Sequence, residues 1–337
     1  MSIRRAGALA VAALGLAGAA CSGGSGRHAA TPPAAPAAHP ATVGLWGDIP
    51  YTRDDQARFP HLVASMNAAD VDFSVFDGDF KGGGRCDDRV YTQAIGRFDS
   101  FDAPVVYVIG DNEWTDCHGG GQNALERLAH LRQVMFASPA SFGKRTMALE
   151  HQSAQYPENT RWQAGGVVFV GVHVVGSNDD HFDDVNAPDP DPERTVADRL
   201  ADNAEHDARA AADAAWLHDS FDLARRTGAA GVMVVVQADP YFEIVGPAER
   251  AAKPVDGTDA FVDALRGETV RFAKPVALVH GDSHRYRLDH PLLDRTGNPV
   301  TNLVRLETFG TPDVSWVKAT VDARDPQVFH FDVQRVT

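Results

Sequence analysis

The stretch VDFSVFDGDF, residues 71–80, is an apolar run that ends abruptly at Gly78-Asp79. The same Gly-Asp ending closes three further runs. They are VGLWGD, which ends at Gly47-Asp48, VYVIGD, which ends at Gly110-Asp111, and ALVHGD, which ends at Gly281-Asp282. Stretches with helical spacing lie between these runs, which predicts parallel strands with helices on their faces. Because ligands in such sheets bind beyond the carboxyl ends of the strands, we expect the four carboxylates to lie close together.

Each of these aspartates follows a glycine, which permits unusual backbone angles and close approach of neighbouring groups. An Asp that caps a helix would explain one or two such endings, but it explains four of them poorly. Several carboxylates in one crevice are costly unless cations neutralise them. The pattern therefore predicts an α/β fold with a shared metal site at the strand ends.

The charge of the whole chain restricts the partners. The 337 residues carry a formal net charge of −15, which argues against nucleic acid or an acidic membrane surface as a partner. A small phosphorylated substrate remains compatible with this charge, because bound cations reverse its sign locally.

The N-terminal segment predicts export. Arg4 and Arg5 precede an apolar run, residues 6–20, which is too short for an ordinary membrane span and ends in small residues before Cys21. This resembles a bacterial lipoprotein signal with Cys21 as the acylated residue; the alternative is a plain secretory signal with an incidental cysteine. We expect an exported lipoprotein of the cell envelope that touches the membrane only through its lipid. The predicted divisions are a signal segment (1–20), a Gly/Ala/Pro-rich linker (21–42) and one domain (43–337).

The other two cysteines form an even pair in a chain predicted to be exported. Cys86 and Cys117 each follow a Gly-Asp ending closely, so both should lie near the same rim. We predict a disulfide between them, and the alternative is two unrelated reduced thiols.

Periodicity predicts the helices and the last strands. Helices are expected near 54–69, 87–99, 123–136, 196–227 and 260–273. Residues 300–310, 314–322 and 328–333 are expected to form closing antiparallel strands.

The order of the polar motifs resembles that of calcineurin-like metallophosphoesterases over residues 43–337. The motifs are GD at 47–48, GD at 78–79, GDNE at 110–113, QADP at 237–240 and GDSH at 281–284. The resemblance implies a central β-sandwich of mixed sheets flanked by helices, with two metal ions at the strand ends.

The departures from this family pattern replace histidines, whereas the positions of the oxygen ligands keep oxygen-bearing side chains. Pro50 stands at the expected His of the first motif, Ala238 at that of the fourth, and Asn112 where the family's His assists the leaving group. Of the last motif's two histidines, only His284 is kept.

The resemblance assigns the metal ligands residue by residue. The expected ligands are Asp48, Asp79, Asp111, Asp282 and His284, with Asp79 as the bridge and Tyr51, Gln237 and Asp239 as further candidates. Such an oxygen-rich site favours two divalent ions of manganese, magnesium or calcium, with iron or zinc as alternatives.

Candidate substrate groups lie near the same motifs. Asn112 cannot donate a proton as an imidazolium can, so His118 is the candidate to replace it, with a rim residue that makes only local contacts as the alternative. Arg161 is a candidate phosphate ligand, or else a structural ion pair, and Asn178 is a candidate pocket residue.

These observations favour an exported metallophosphoesterase that hydrolyses a small phosphate ester with a metal-held hydroxide, preferring good leaving groups or diesters. The rival function is a non-catalytic binding protein of the cell envelope, which the missing histidines support. The retained Asp48, Asp79 and His284 oppose the rival, because a scaffold without metal has little physical reason to keep them.

Overall fold

Two β-sheets stacked face to face lie at the centre of the protein in this computed structural model. The structure describes residues 39–187, 194–240, 242 and 256–336. The predicted signal segment, Cys21 and most of the predicted linker lie outside the described residues.

The strands are short and mostly buried. They are β1 (Ala41–Trp46), β2 (Phe73–Phe76), β3 (Val105–Tyr107), β4 (Glu150–His151), β5 (Thr160–Ala164), β6 (Val167–Gly171), β7 (Gly231–Val235), β8 (Val276–His280), β9 (Arg287–Asp289), β10 (Leu303–Glu307), β11 (Trp316–Val321) and β12 (Phe329–Gln334). β1 begins two residues before the predicted start of the domain, and its Ala41 pairs with Val321.

The five helices predicted from periodicity are present within one residue of the expected bounds. They are α1 (Arg53–Ala68), α2 (Asp88–Phe98), α3 (Ala124–Met135), α4 (Val196–Thr227) and α5 (Asp259–Phe272). A 3₁₀ helix (Thr115–Gly120) follows β3, and a short helical turn (Gly176–Asp179) follows β6. The described helices all lack the combination of length and hydropathy that a membrane crossing requires.

Both sheets are mixed. The first has the order β12-β11-β1-β2-β3, in which β1, β2 and β3 are parallel and β11 and β12 are antiparallel. The second has the order β4-β5-β6-β7-β8-β10-β9, with β6, β7, β8 and β10 parallel. Residues 300–310, which contain β10, were predicted to form an antiparallel closing strand. β10 is antiparallel to β9 but parallel to β8, so the prediction was wrong for the pairing with β8. β9 lies at the sheet edge and turns the chain back, so β10 inserts beside β8 in the parallel direction.

Apolar side chains fill the space between the sheets, with Leu45 and Val75 on one side and Phe169, Met233 and Val279 on the other. Helices α1, α2 and α3 cover the outer face of the first sheet, and α4 and α5 cover that of the second. The expected arrangement, mixed sheets with helices on both outer faces, is thus observed. It leaves the carboxyl ends of β1, β2, β7 and β8 at a common edge.

Candidate functional site

The four Gly-Asp endings converge at this edge. The amide nitrogen of Gln237 lies 3.3 Å from Asp79 Oδ2, 3.3 Å from Asp111 Oδ1 and 3.2 Å from Asp282 Oδ1. The backbone N–H of Asp282 lies 3.2 Å from both carboxylate oxygens of Asp48. The structure therefore brings together the carboxylates that follow β1, β2, β3 and β8.

The glycines before these aspartates are required by the crowding of the site. A Cβ on Gly110 would stand 1.9 Å from Asp79 Oδ1, and one on Gly281 would stand 2.1 Å from Asp48 Oδ2. A Cβ on Gly78 would meet the Gln237 side chain at 2.5 Å. Glycine is the residue that lets the backbone pass this close to carboxylate side chains.

Four of the predicted ligands have left-handed backbone angles. The φ values are 52° for Asp48, 67° for Asp79, 78° for Asp282 and 60° for His284. Such angles cost free energy in residues other than glycine, and they concentrate where a site over-determines the geometry. The backbone strain therefore coincides with the residues predicted to carry the chemistry.

Three further acidic residues complete the cluster, which we call the carboxylate cluster. Its members are Asp48, Asp77, Asp79, Asp111, Glu113, Asp116 and Asp282, and all except Asp116 and Asp282 are buried. Sequence reasoning missed Asp77 and Glu113, although both stand inside the motifs FDGD and GDNE. Glu113 accepts a hydrogen bond from Phe80 N–H at 2.7 Å, while its Oε2 and Asp77 Oδ1 have no hydrogen-bond partner among the described residues.

Burial and mutual repulsion disfavour ionisation in the cluster. Burial, followed by the charges of Asp111 and Glu113, raises the pKa of Asp79 well above its usual range. Burial likewise raises the pKa of Asp111, and that of Glu113 to about 7. Without cations, the cluster must therefore hold protons or destabilise the fold.

Two cationic side chains lie at the rim. His284 Nε2 lies 3.5 Å from Asp48 Oδ1, and that contact raises the pKa of the imidazole. Lys81 interacts with the charges of Glu113, Asp79, Asp116 and Asp111, while burial lowers the pKa of its ammonium. Two cations cannot balance seven carboxylates.

Neutral donors separate the carboxylates. The Tyr51 hydroxyl donates to Asp79 Oδ2 at 2.9 Å and lies 3.3 Å from Asp48 Oδ1. The Asn112 amide donates to Asp79 Oδ2 at 2.6 Å, and the Ser177 hydroxyl lies 2.9 Å from Asp111 Oδ2 and 2.6 Å from Asp116 Oδ1. Burial and the Asp79 charge raise the pKa of the Tyr51 phenol, so it remains a donor in this arrangement.

The donor set fits an oxygen-preferring divalent cation. It offers carboxylates, a phenol and one imidazole, and two of its buried carboxylate oxygens are unpartnered. His284 Nδ1 hydrogen-bonds Thr311 O at 3.0 Å, which leaves Nε2 as the ligand atom, the usual arrangement for a metal-bound imidazole.

Two of the further ligand candidates are turned away from the cluster. The carbonyl oxygen of Gln237, its ligating atom, accepts from Gly176 N–H at 2.6 Å, so Gln237 presents its NH₂ group to the carboxylates. The Asp239 carboxylate pairs with Arg287 and lies 3.5 Å from Arg305, and only its backbone N–H reaches Asp282, at 3.2 Å.

A second group of metal-ligand type lies beside the cluster. Within the described residues, Asp239, His280 and Glu307 are the one group of three whose ligand atoms all lie within 4.8 Å of one another. Arg287 pairs with both of its carboxylates and Arg305 lies 3.5 Å from Asp239, so two guanidinium groups offset the two negative charges. We interpret this group as an ion-pair network, because the guanidinium groups occupy the position of a cation.

The structure gives His118, Arg161 and Asn178 local contacts outside the cluster. The Nε2 atom of His118 accepts from Ala124 N–H at 3.3 Å, at the start of α3. Arg161 pairs with Glu150 and stacks 4.2 Å above the Trp216 ring. Asn178 Oδ1 accepts from Gly257 N–H at 2.9 Å, while its neighbour Ser177, which the sequence did not single out, reaches the cluster.

No family model matches the chain, and no curated protein matches it. Among solved structures, the chain is similar to GAP50, the anchor in the inner membrane complex of Plasmodium. The similarity covers 88% of this chain and 89% of that chain, at 12% identity and a TM-score of 0.44. We draw no conclusion about fold family or function from a similarity of this extent.

One wall of the site is a turn of left-handed backbone. The φ values of Ser177, Asn178, Asp179 and Asp180 are 50°, 57°, 55° and 60°. The buried Arg209 of α4 holds this turn by donating to the carboxylate of Asp179 at 2.7 Å and to its backbone carbonyl at 2.8 Å. The long helix thus fixes the strained turn that carries Ser177 to the cluster.

The predicted disulfide between Cys86 and Cys117 is confirmed. Cys86 and Cys117 are bonded, with their Cα atoms 5.4 Å apart. The Gln122 side chain also exchanges two hydrogen bonds with the backbone of Cys86, at 2.6 and 3.0 Å. The two contacts tie the loop after β2 to the 3₁₀ helix after β3 and to the residue two positions beyond that helix.

Proposed function

We propose that the carboxylate cluster binds divalent cations and that the protein is an exported, metal-dependent phosphoesterase of the calcineurin-like type. The observation that carries the proposal is the convergence of seven carboxylates, most of them buried, with two cationic side chains at the rim. Charge of this density is stable in a folded protein when cations neutralise it.

Asp48, Asp79, Asp111, Asp282 and His284 would hold the ions, with Asp79 in the central position. Asp79 suits that position because its side chain lies within hydrogen-bond distance of Tyr51, Asn112 and Gln237 at once. Bound divalent ions would supply charge neutralisation and Lewis acidity to a phosphoryl oxygen. Manganese, magnesium or calcium fits the oxygen ligands best, with iron or zinc as alternatives.

The chain's own residues orient the proposed ligands. The Tyr51 hydroxyl fixes the two carboxylates of Asp48 and Asp79 relative to each other. Gly83, Ser177 and Ser283 are exposed and lie beside members of the cluster, and we take them as its mouth. A Cβ on Gly83 would stand 3.4 Å from Asp116 Oδ2, the Ser177 hydroxyl contacts Asp111, and Ser283 follows Asp282. A small phosphorylated substrate suits a mouth framed by such small side chains, and the charge of −15 opposes a nucleic-acid substrate.

A non-catalytic binding protein of the cell envelope is the second candidate. It is favoured by the neutral donors of Tyr51 and Gln237, which already bridge carboxylates that an enzyme would bridge with metal. Hydrogen bonds of this kind could hold the cluster together in a protein without a resident ion.

Metal analysis and an activity assay on the same samples distinguish the two candidates. The chain from Ser22 onward would be purified without chelators beside Asp79→Ala, and beside Asp213→Asn as a buried carboxylate outside the cluster. We expect close to two ions per chain in the unsubstituted protein and in Asp213→Asn, loss of metal in Asp79→Ala, and metal-dependent hydrolysis of an aryl phosphate. No bound ion after soaking in Mg²⁺, Mn²⁺ and Zn²⁺ would contradict the enzyme and favour the binding protein.

Export and lipid attachment are part of the same proposal. Replacing Cys21 by Ser in the full chain should move the protein from the membrane fraction to the soluble fraction of the cell envelope. An unchanged distribution would refute lipid attachment at this residue.

A further inference from the structure

Lys81 places a positive charge beside the mouth of the carboxylate cluster. It lies in the loop between β2 and α2, half-buried, and its Nζ donates to Asn112 O at 2.6 Å and to Gly84 O at 3.1 Å. An ammonium group has three N–H donors. Two are satisfied by these carbonyl groups, and the third has no acceptor among the described residues, so one donor remains for a ligand.

The loop that carries Lys81 is held in place over the cluster. Gly82 packs against the Tyr51 ring, where a Cβ would lie 3.4 Å from the ring, and a Cβ on Gly83 would stand 3.1 Å from Asn112 Oδ1. The disulfide of Cys86 and its hydrogen bonds to Gln122 anchor the end of the loop. The charge of Lys81 is therefore fixed relative to the carboxylates rather than carried on a free side chain.

The described residues around the mouth offer no imidazole N–H to a leaving group. Both hydrogens of the Asn112 amide are used, on Asp79 Oδ2 at 2.6 Å and on the Tyr51 oxygen at 3.1 Å. His118 lies at the start of α3, where its Nε2 accepts from Ala124 N–H and the ring is close enough to interact with the charge of Asp198. His284 is engaged with Thr311 O and Asp48. Without a proton from an imidazole, a leaving group that is already stable as an anion suits this site best.

From these contacts we infer that the substrate is a phosphoanhydride, such as a nucleoside diphosphate or an inorganic polyphosphate, and that Lys81 binds its leaving phosphoryl group. This inference rests on the proposed phosphoesterase function. A departing phosphate is a stable anion, whereas an alkoxide is not, and a fixed ammonium stabilises a charged leaving group more than a neutral one.

The reaction balances without a further reactant. The oxygen of water forms a bond to the attacked phosphorus, and the bond from that phosphorus to the bridging oxygen breaks. The bridging oxygen leaves with the electron pair as part of the second phosphate, next to Lys81. One proton of the water is released to solvent.

Binding of unreactive ligands tests the role of Lys81 without turnover. Calorimetric titrations in Mn²⁺ would compare imidodiphosphate, which has two charged phosphoryl groups, with phenylphosphonate, which has one. For Lys81→Met we expect the Kd of imidodiphosphate to rise roughly tenfold or more, because a hydrogen bond to a charged group is lost, with little change for phenylphosphonate. Lys81→Arg should keep most of the affinity, and Lys144→Met, at an exposed pair with Asp102, should keep all of it.

The outcomes separate the inference from the function it rests on. Tighter binding of imidodiphosphate, lost in Lys81→Met and largely kept in Lys81→Arg, supports the inference. If Lys81→Met changes the Kd of both ligands equally, or of neither, the inference about Lys81 is overturned and the proposed phosphoesterase function is unaffected. Failure of both ligands to bind with any divalent metal overturns both. Lys81→Gln replaces the Met variant if thermal unfolding shows that the latter is misfolded.

Discussion

The substitution Asp79→Asn should reverse its effect on stability when metal is added. In the absence of cations, the variant removes one charge from a crowded, buried group of carboxylates. In their presence, it removes the ligand that we propose to be central. We therefore expect the variant to be more stable than the unsubstituted protein in a chelator and less stable in Mn²⁺.

The structure sets the size of the first effect. Asp79 Oδ1 and Glu113 Oε2 lie 1.9 and 2.6 Å from the point where a Cβ on Gly110 would stand, so they are at most 4.5 Å apart. Two full charges at that separation repel by about 4 kcal/mol at an effective dielectric constant of about 20. Shared protons reduce this repulsion, and the backbone N–H of Asn112 loses its acceptor at a cost of about 1 kcal/mol. We expect a net gain of roughly 2 kcal/mol in the free energy of unfolding at pH 8, above the pKa of Glu113 of about 7.

Urea unfolding in a chelator and in Mn²⁺ measures both effects. Metal at about 100 times its Kd stabilises the unsubstituted protein by about 2.7 kcal/mol, which exceeds the gain of the variant, so the order of stability should invert. Asp213→Asn, outside the cluster, should shift the unfolding midpoint equally in both buffers. If Asp79→Asn instead lowers stability by the same amount with and without metal, Asp79 is a structural hydrogen-bond acceptor and the metal site is refuted.

Three further predictions follow from the site and its surroundings. Gly110→Ala would place a carbon 1.9 Å from a cluster carboxylate and should lower Mn²⁺ affinity at least fivefold in calorimetry. Gly96→Ala, on an open face of α2, should leave that affinity unchanged and raise the free energy of unfolding by about 0.5–1 kcal/mol, and an equal loss of Mn²⁺ affinity in both variants would contradict the steric argument. Replacing Cys86 and Cys117 together by Ala should lower the free energy of unfolding by about 2–4 kcal/mol in urea, and an unchanged midpoint would count against the disulfide as a stabilising link. Burial opposes ionisation of Glu158, but the His173 imidazole and the Arg132 guanidinium hold its pKa at about 2. The stabilisation by the Glu158 carboxylate is therefore present above about pH 4.5 and is lost as the pH falls towards 2. Glu158→Gln should flatten the pH dependence of the free energy of unfolding over that window, and an identical slope in both proteins would argue against the ion pair.

The sequence predicted the convergence of the aspartates because that depends on local features. Apolar runs that end in Gly-Asp, separated by helical stretches, place Asp48, Asp79 and Asp282 at neighbouring strand ends whatever the details of packing. The disulfide was predictable for a similar reason, since both cysteines follow such endings closely. The glycines also signalled close approach, and the structure shows which carboxylates they approach.

Hydrogen-bond partners could not be predicted, because they depend on contacts between distant segments. The orientation of the Gln237 amide is set by Gly176, and the direction of the Asp239 carboxylate is set by Arg287. Nothing near either residue in the sequence indicates these partners. Ser177 reaches the cluster through left-handed angles that its sequence does not favour, so the pattern gave no signal for it.

The left-handed turn from Ser177 to Asp180 has a consequence for the order in which the site assembles. Its four residues disfavour that conformation by themselves, and Arg209, which holds it, comes from the middle of a helix that begins later in the chain. The wall can therefore persist only after α4 has docked against the second sheet. We expect the cluster to close late in folding, so that the nascent chain does not present a finished cation site before its core has formed.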